Sequence, residues 1–358
     1  ISGIISTLNG EFRKRSLKTL AVLKKENMFY RNDRHKIDKI LSKLDTSKKT
    51  GIFEKFLILF KEFGIFIHAL FKYKYFVFVF GETFLVHPFQ FDLLILKLFG
   101  KKIVMIYCGD DARLYIEEMN KNPYFRILIS DGAYDPQILI QRDRKNRAKL
   151  RWQSKFVDLC FGGEGIYAYI TKFYDSNKIS KYIPARIVDI SGIKPVYPPV
   201  GKQLKIVHIP SNKVIKGTKY ILKAIEKLKN KGYDFEFILP NKKISNDEVL
   251  KLLKDADIVI DQVLLGSFGK FAVEAMAHGK IVITYIRPDV EAIMKGFYDE
   301  IPPLINANVD NLVDVIETVL KMSPEKMKEY GMKGRKFVEK YCASDTVAKY
   351  VLEELRKL

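Results

Sequence analysis

The sequence predicts an α/β protein made of two Rossmann-like domains, and three observations carry that expectation. At 358 residues the chain exceeds one ordinary core, since about 100–200 residues make a domain. From residue 204 onward, short apolar runs alternate with longer amphipathic stretches, the signature of βαβ units with a parallel sheet covered on both faces. The N-terminal half repeats this alternation less regularly. A hydrophobic content of 47% excludes a disordered chain.

Taken in order, the chain opens on "ISGIISTLNGEFRKR", a glycine followed by a helical pattern. This reads as the sequel to a strand lying partly upstream, and Ile1 stands where a native start would carry Met. Within residues 52–91, "FLILFKEFGIFIHALFKYKYFVFVF" is rich in aromatics and at first resembles a membrane span. Lys55, Lys61, Glu62, Lys72 and Lys74 interrupt it, leaving no run of about 20 uncharged apolar residues. It is therefore read as a buried helix followed by a buried strand at 75–80. "QFDLLILKLFG" and "DPQILIQRDRKNRAKLRW" read as helices, and 102–107 and 156–161 as strands.

The prolines of "KPVYPPVG" (194–201), Pro195, Pro198 and Pro199, followed by Gly201, mark the interdomain linker, because proline disfavours helix and removes a donor. The expected domains are thus 1–197, 198–343 and a terminal helix at 344–358 that packs on its own domain or returns to the first. Ser344 is the N-cap candidate for that helix. In the second domain, strand 204–209 leads to helix 218–232, where Tyr220, Ile221, Ala224, Ile225 and Leu228 share one face. "FEFILP", "DEVLKLLKDA", "DIVID", "KFAVEAMAHG" and "KIVITYI" then continue the strand and helix alternation.

Sixty-two Lys and Arg against 42 Asp and Glu leave a formal charge of +20, suited to phosphorylated ligands, an anionic membrane face or nucleic acid. The lysines are spread along the chain without a nucleic-acid motif, so nucleic acid is the weakest of these partners. Cys108, Cys160 and Cys342 are odd in number and widely spaced, which points to neither a disulfide framework nor a zinc site and fits a reducing cytoplasm.

In open parallel sheets, ligands bind beyond the carboxyl ends of the strands. The loop "DQVLLGSFGK" leads into the helix that begins near Gly269; its glycines permit close backbone approach and its first amides suit a diphosphate. Gly266, Phe268, Gly269 and Lys270 line this candidate donor site, and Glu274 could accept two hydrogen bonds from a ribose diol or simply face solvent. After the domain's first strand, Ser211, Asn212, Lys213 and Lys216 offer hydroxyl, amide and ammonium donors. G-x-G-x-x-G, G-x-x-x-x-G-K-[ST] and G-x-S-x-G are all absent. In the first half, "FGETFLVHP" and "YCGDDAR" bring Glu82, His87, Asp110, Asp111 and Arg113 to strand ends, with Asp110 and His87 as catalytic candidates and Glu82 and Arg113 on the acceptor side. Asp110 equally suits the cap of a helix near Ala112, and His87 a structural role. No cluster has metal-ligand spacing.

"HIPSNKVIKGTKYILKAIEKL", "DADIVIDQVLLGSFGKFAVEAMAHGKIVITYI" and "MKGRKFVEKY" together resemble the donor-binding domain of the retaining, family-4 type glycosyltransferases with the GT-B fold. The resemblance covers roughly residues 200–345 and implies two Rossmann-like domains facing a cleft, with a UDP- or GDP-type nucleotide-diphosphate sugar as substrate and no cofactor or metal. It implies a glycan or lipid-linked acceptor held by the first domain, a role in surface glycan or glycolipid synthesis, and a cytoplasmic enzyme at the anionic inner face of the membrane. By the same resemblance Glu274 holds the ribose hydroxyls, Lys216 neutralises the diphosphate, Gly269 and Lys270 meet the phosphates or sugar, and Gly3 matches the glycine loop after the first strand.

Two departures stand out. The family motif carries a further glutamate eight positions before the ribose carboxylate, and here that place is Gly266; the arginine five positions before the phosphate lysine is Ser211, with Lys213 as an imperfect substitute. The implied mechanism needs no protein nucleophile: the acceptor hydroxyl attacks the face that the diphosphate leaves, and the departing phosphate oxygen takes its proton. The competing expectations are a catalytically inactive subunit that binds sugar nucleotide or glycan, and another enzyme of the same fold such as an epimerase or phosphorylase.

Overall fold

A computed structural model describes residues 2–25, 36–42, 52–85, 90–198 and 202–358. His87, Pro199 and Gly201 lie outside the described residues. In chain order the first half carries α1 (Ser2–Lys14), β1 (Val22–Lys25), β2 (Lys39–Ser42), α2 (Ile52–Lys72), β3 (Tyr75–Val79), α3 (Phe91–Leu98), β4 (Lys102–Ile106), α4 (Tyr115–Lys121), α5 (Phe125–Ser130), α6 (Pro136–Gln153), β5 (Leu159–Phe161), α7 (Glu164–Ile170) and β6 (Ile179–Ser180). The second half carries β7 (Leu204–Val207), α8 (Lys213–Lys216), α9 (Thr218–Asn230), β8 (Phe235–Ile238), α10 (Asn246–Asp255), β9 (Ile258–Ile260), α11 (Lys270–Ala277), β10 (Ile281–Thr284), α12 (Pro288–Phe297), β11 (Leu304–Asn306), α13 (Leu312–Leu320), α14 (Pro324–Tyr341) and α15 (Ser344–Arg356). The chain divides into two compact units: Ile1–Arg113 with Lys145–Ile187 and Ser344–Leu358, and Leu114–Arg144 with Val188–Ala343.

In the first unit, β3, β4, β5 and β6 form a parallel sheet in that order, with β1 and β2 as a separate parallel pair. Ile103 to Ile106 are fully buried, as expected of a parallel strand sandwiched between layers. Ile4 and Leu8 of α1, with Val347, Val351 and Leu355 of α15, pack on Val104, Ile106 and Phe161. Ser344 does not act as the expected cap of a helix starting after it. The helix begins at Ser344 itself, and the hydroxyl donates to the Glu11 carboxylate at 3.0 Å, a partner that local sequence cannot reveal.

The expectation of a buried helix at the start of 52–91 needs correction. Phe66, Ala69 and Leu70 of α2 enter the core, while Leu57, Phe60, Phe63 and Phe71 stand exposed, because a helix apolar all round has only one face against the sheet. Among the described residues, no helix is long and apolar enough to cross a membrane.

The second unit has a five-stranded parallel sheet of order β11-β10-β9-β7-β8. The chain runs from β7 outward to β8, then crosses to the other side of β7 for β9. The strand order therefore reverses between β7 and β9, and the crevice at their carboxyl ends is where an open α/β sheet binds ligands. Tyr115, Phe125, Leu128 and Leu139 join the core that Ile206, Ile258 and Ile283 build, so the segment Leu114–Arg144 belongs to this unit although it precedes β5. The start of the expected linker is fastened here too: Lys280 donates to the Val196 carbonyl (2.7 Å) and Arg335 to the Ile193 carbonyl (3.0 Å).

Candidate functional site

At the switch point, β7 ends and His208 follows, fully buried. Its Nδ1 meets the Ile260 carbonyl at 2.8 Å and its Nε2 the Thr218 hydroxyl at 2.9 Å. A carbonyl only accepts, so Nδ1 carries the proton and Nε2 accepts from threonine. Burial pushes this imidazole down to about 4, fixing it neutral between the ends of β7 and β9 and the first turn of α9. The chain then turns through exposed Ser211 and Asn212 into α8. Asn212 Oδ1 accepts from the Val214 and Ile215 amides at 3.0 and 3.1 Å, so its carbonyl is a helix cap. Lys213 points into solvent from the first position of α8. Gly217 ends α8 with φ 77°, where a Cβ would come within 2.5 Å of Val263 Cγ2.

Lys216, the last residue of α8, is brought to the end of β9. Its Nζ donates to Asp261 Oδ1 at 2.8 Å and to Gln262 Oε1 at 2.7 Å. The second Asp261 oxygen accepts from the Gly269 amide at 3.0 Å. Asp261, 1% exposed, thus clamps together the lysine and the start of α11. Gln262 in turn donates to the Ser267 carbonyl. Gly269 is the N-cap of α11 and brings no side chain of its own to cap that helix start. Phe268 is buried beside them.

Glu274 follows one turn later, with its side chain turned inward rather than to solvent. Among the described residues nothing hydrogen-bonds its carboxylate. Burial raises its pKa, the Lys270 charge lowers it and the Asp261 charge raises it further. A largely buried carboxylate without a hydrogen-bond donor, next to a lysine and a helix start, is chemically equipped to receive a polar, anionic ligand.

Gly266 has φ 68°, and a Cβ there would lie 2.2 Å from Arg287 Cγ and 2.8 Å from Cδ. The Arg287 stem fills the volume that a side chain at 266 would need. Its guanidinium pairs with Asp289 at 2.8 and 3.0 Å and with the buried Glu118 of α4, and its amide donates to the Gly266 carbonyl at 2.9 Å. The same segment holds the loop from another side: Asn122 donates to the Leu264 carbonyl at 2.8 Å.

In the first unit the expected residues separate. Asp110 is half-exposed and pairs with Arg113 Nε at 3.2 Å, while Asp111, not Asp110, folds back onto the amides of Cys108 and Gly109 at 3.0 and 2.7 Å. The next helix, α4, begins at Tyr115 and not near Ala112, so the expected cap role for Asp110 is not realised. Burial pushes the Asp111 carboxyl up to about 6 against the pull of Lys149. Lys149 lies against Gly81, where a Cβ would meet its Nζ at 3.1 Å, and it also feels the exposed Glu82. Gly3 sits within the first turn of α1, not in a loop.

The structure therefore gathers Lys216, Gly269, Lys270 and Glu274 at one strand-end crevice, with Gly266 and Phe268 in the connecting loop. Asp261, Gln262 and Arg287 were missed by sequence reasoning. The local signal for the first two was present, a polar pair directly after the apolar "IVI"; nothing local marks Arg287 as the partner of Gly266.

No family model matches the chain, and no curated protein matches it by sequence. Solved structures do. A sucrose-phosphate synthase from Thermosynechococcus elongatus is 13% identical, with TM-score 0.63 over 98% of this chain and 91% of that one. A glycosyltransferase from Rickettsia africae is 14% identical, with TM-score 0.63 over 99% and 94%. A protein from Listeria monocytogenes assigned as a UDP-N-acetylglucosamine 2-epimerase is 12% identical, with TM-score 0.60 over 99% and 93%. The α/β class with Rossmann-like parallel sheets, shared with GT-B structures, is thereby established.

Proposed function

We propose that the chain is a glycosyltransferase that moves a sugar from a UDP- or GDP-type nucleotide-diphosphate sugar to a hydroxyl of a glycan or lipid-linked acceptor, with retention of configuration. The observation that carries this reading is the buried carboxylate of Glu274, without a hydrogen-bond donor among the described residues, one turn beyond the start of α11, whose N-cap is a glycine. A ribose diol supplies two hydroxyl donors to such a carboxylate, while a diphosphate takes the first-turn amides and the ammonium of Lys216. Asp261 is the positioning residue of this arrangement: it holds Lys216 and the Gly269 amide in place, so that little reorganisation accompanies donor binding.

As the sugar–phosphate bond breaks, negative charge grows on the leaving diphosphate, and the Lys216 ammonium and helix amides stabilise it. The acceptor hydroxyl attacks the same face and its proton passes to the departing phosphate oxygen. No side chain at 266 takes part. The synthesis of a surface glycan or glycolipid at the inner membrane face would use such a reaction, and a hexose is the expected group. Asp110 and His87 remain the catalytic candidates, with Glu82 and Arg113 as acceptor-side residues.

The glycine at 266 also favours a second reading, a subunit that binds sugar nucleotide without transferring it; an epimerase of the same fold is a third. A thermal-shift series with UDP-, GDP-, ADP- and CMP-sugars separates these outcomes. We expect at least one UDP- or GDP-sugar to raise Tm, and Glu274→Gln to weaken its binding roughly tenfold, the loss of about one charged hydrogen bond, with the fold intact. No stabilisation by any nucleotide sugar, or unchanged binding by the variant, overturns the donor site. Binding without turnover, tested by hydrolysis of the same donor, selects the inactive subunit, and interconversion of donor epimers without an acceptor selects the epimerase.

A further inference from the structure

The donor site makes no use of the apolar face that α2 and α3 leave open. Phe60 and Phe71 of α2 are 74% and 72% exposed, and Leu98 and Phe99 at the end of α3 are 76% and 52% exposed. Leu57, Phe60, Phe63 and Phe71 recur at helical spacing, opposite the buried Phe66, Ala69 and Leu70. The edge of one ring of the Phe71–Phe99 pair meets the face of the other with centroids 5.9 Å apart, which joins the two helices into one surface. Single exposed apolar residues are ordinary, but a joined group of this kind marks a surface that is covered in use.

The charges around it name the cover. Lys61 and Lys72 are exposed on one flank of α2 and Lys74 just beyond its end. Among the described residues none of the three forms an ion pair. The acids described on these helices turn away: Glu62 is buried toward Lys24 at 3.5 Å, and Asp92 is buried, accepting from the Thr83 hydroxyl and the Leu85 amide. The result is an apolar strip with a basic rim on a chain of net charge +20. Leu and Phe beside Lys held in no ion pair is the chemistry of a helix lying in a lipid interface, whereas the centre of a protein contact is enriched in Trp, Tyr and Arg.

We propose that this face docks the protein on an anionic lipid bilayer, with α2 in the plane of the interface, Phe60, Phe63, Phe71 and Leu98 entering the headgroup boundary and Lys61, Lys72 and Lys74 meeting lipid phosphates. The helix does not span: Lys61, Glu62 and Lys72 interrupt it. Docking stands apart from the transfer reading, because binding to vesicles requires no donor.

The test is co-sedimentation of the full chain with phosphatidylcholine vesicles, with and without phosphatidylglycerol. We expect pelleting with the anionic vesicles, weakened by salt, and little with phosphatidylcholine alone. Lys61→Glu with Lys72→Glu should lower the partition coefficient at least roughly tenfold, from a contribution of about fivefold per lysine. Phe60→Ser with Phe71→Ser should lower it similarly while circular-dichroism melting stays unchanged. Failure to bind anionic vesicles, equal binding to neutral ones, or indifference to both pairs of substitutions overturns the proposal. So does a wild-type dimer in sedimentation velocity that Phe71→Ser dissociates, since the face then belongs to a second copy. If the phenylalanine variant fails to fold, the lysine pair and the salt titration decide.

Discussion

Gly266 and Arg287 form one arrangement. The glycine adopts a left-handed conformation that a side chain resists, and the arginine stem lies where that side chain would go, held by Asp289 and Glu118. A glutamate placed at 266 would therefore collide with a buried, anchored cation, so the absence of a side chain there is built into the packing. Gly266→Ala should cost about 2–4 kcal/mol, combining left-handed strain with overpacking. Denaturant melts measure this, and unchanged stability would show that the Arg287 stem yields. Glu274 was legible at this scale because an acid in an apolar helical run is conspicuous. Asp261 was not, because an acid at a strand end has many ordinary roles until Lys216 and Gly269 are seen to meet it.

At the scale of elements, the ends of β7 and β9 and the start of α9 are tied through His208. In the unfolded chain its imidazole protonates near 6.5, and in the folded state only near 4. Between these values the unfolded state binds more protons, so stability is full above about pH 6.5 and declines as pH falls to about 4, by about 3 kcal/mol in total. Asp111, with its carboxyl raised to about 6 by burial, acts oppositely, losing stability as pH rises through the same window. Hydrogen exchange of the β7 and β9 amides isolates the His208 contribution. His208→Asn retains a donor for the Ile260 carbonyl without a titrating group, and we expect it to flatten the slope; an unaltered slope would assign the pH dependence elsewhere. The strands and helices themselves were readable from alternation. Their order in the sheet was not, and the switch point follows from order.

At the scale of the molecule, both units are discontinuous in sequence, and the first is completed by the last helix of the chain. Val347, Val351 and Leu355 pack on its sheet, each worth roughly 1.5–3 kcal/mol of burial. Their sum approaches the 5–15 kcal/mol of a typical fold. Truncation after Ala343 should therefore unfold the first unit, seen as loss of exchange protection in β4 and β5 while β9 and β10 stay protected; retained protection in β4 would show that α15 is dispensable. The α/β class was legible in the residues alone, because apolar period and length are local and a parallel sheet imposes both. The residues also placed a helix start near Gly269 and singled out the acid beyond it, while leaving open whether that acid faces solvent. That Leu114–Arg144 belongs with the second unit, that Arg287 answers Gly266, that Asp261 clamps Lys216, and that Phe60 and Phe71 of α2 stay exposed emerged with the folded chain. Each of these depends on contacts between residues tens to hundreds of positions apart, and helical or strand periodicity carries no information about which distant surface will meet a given face.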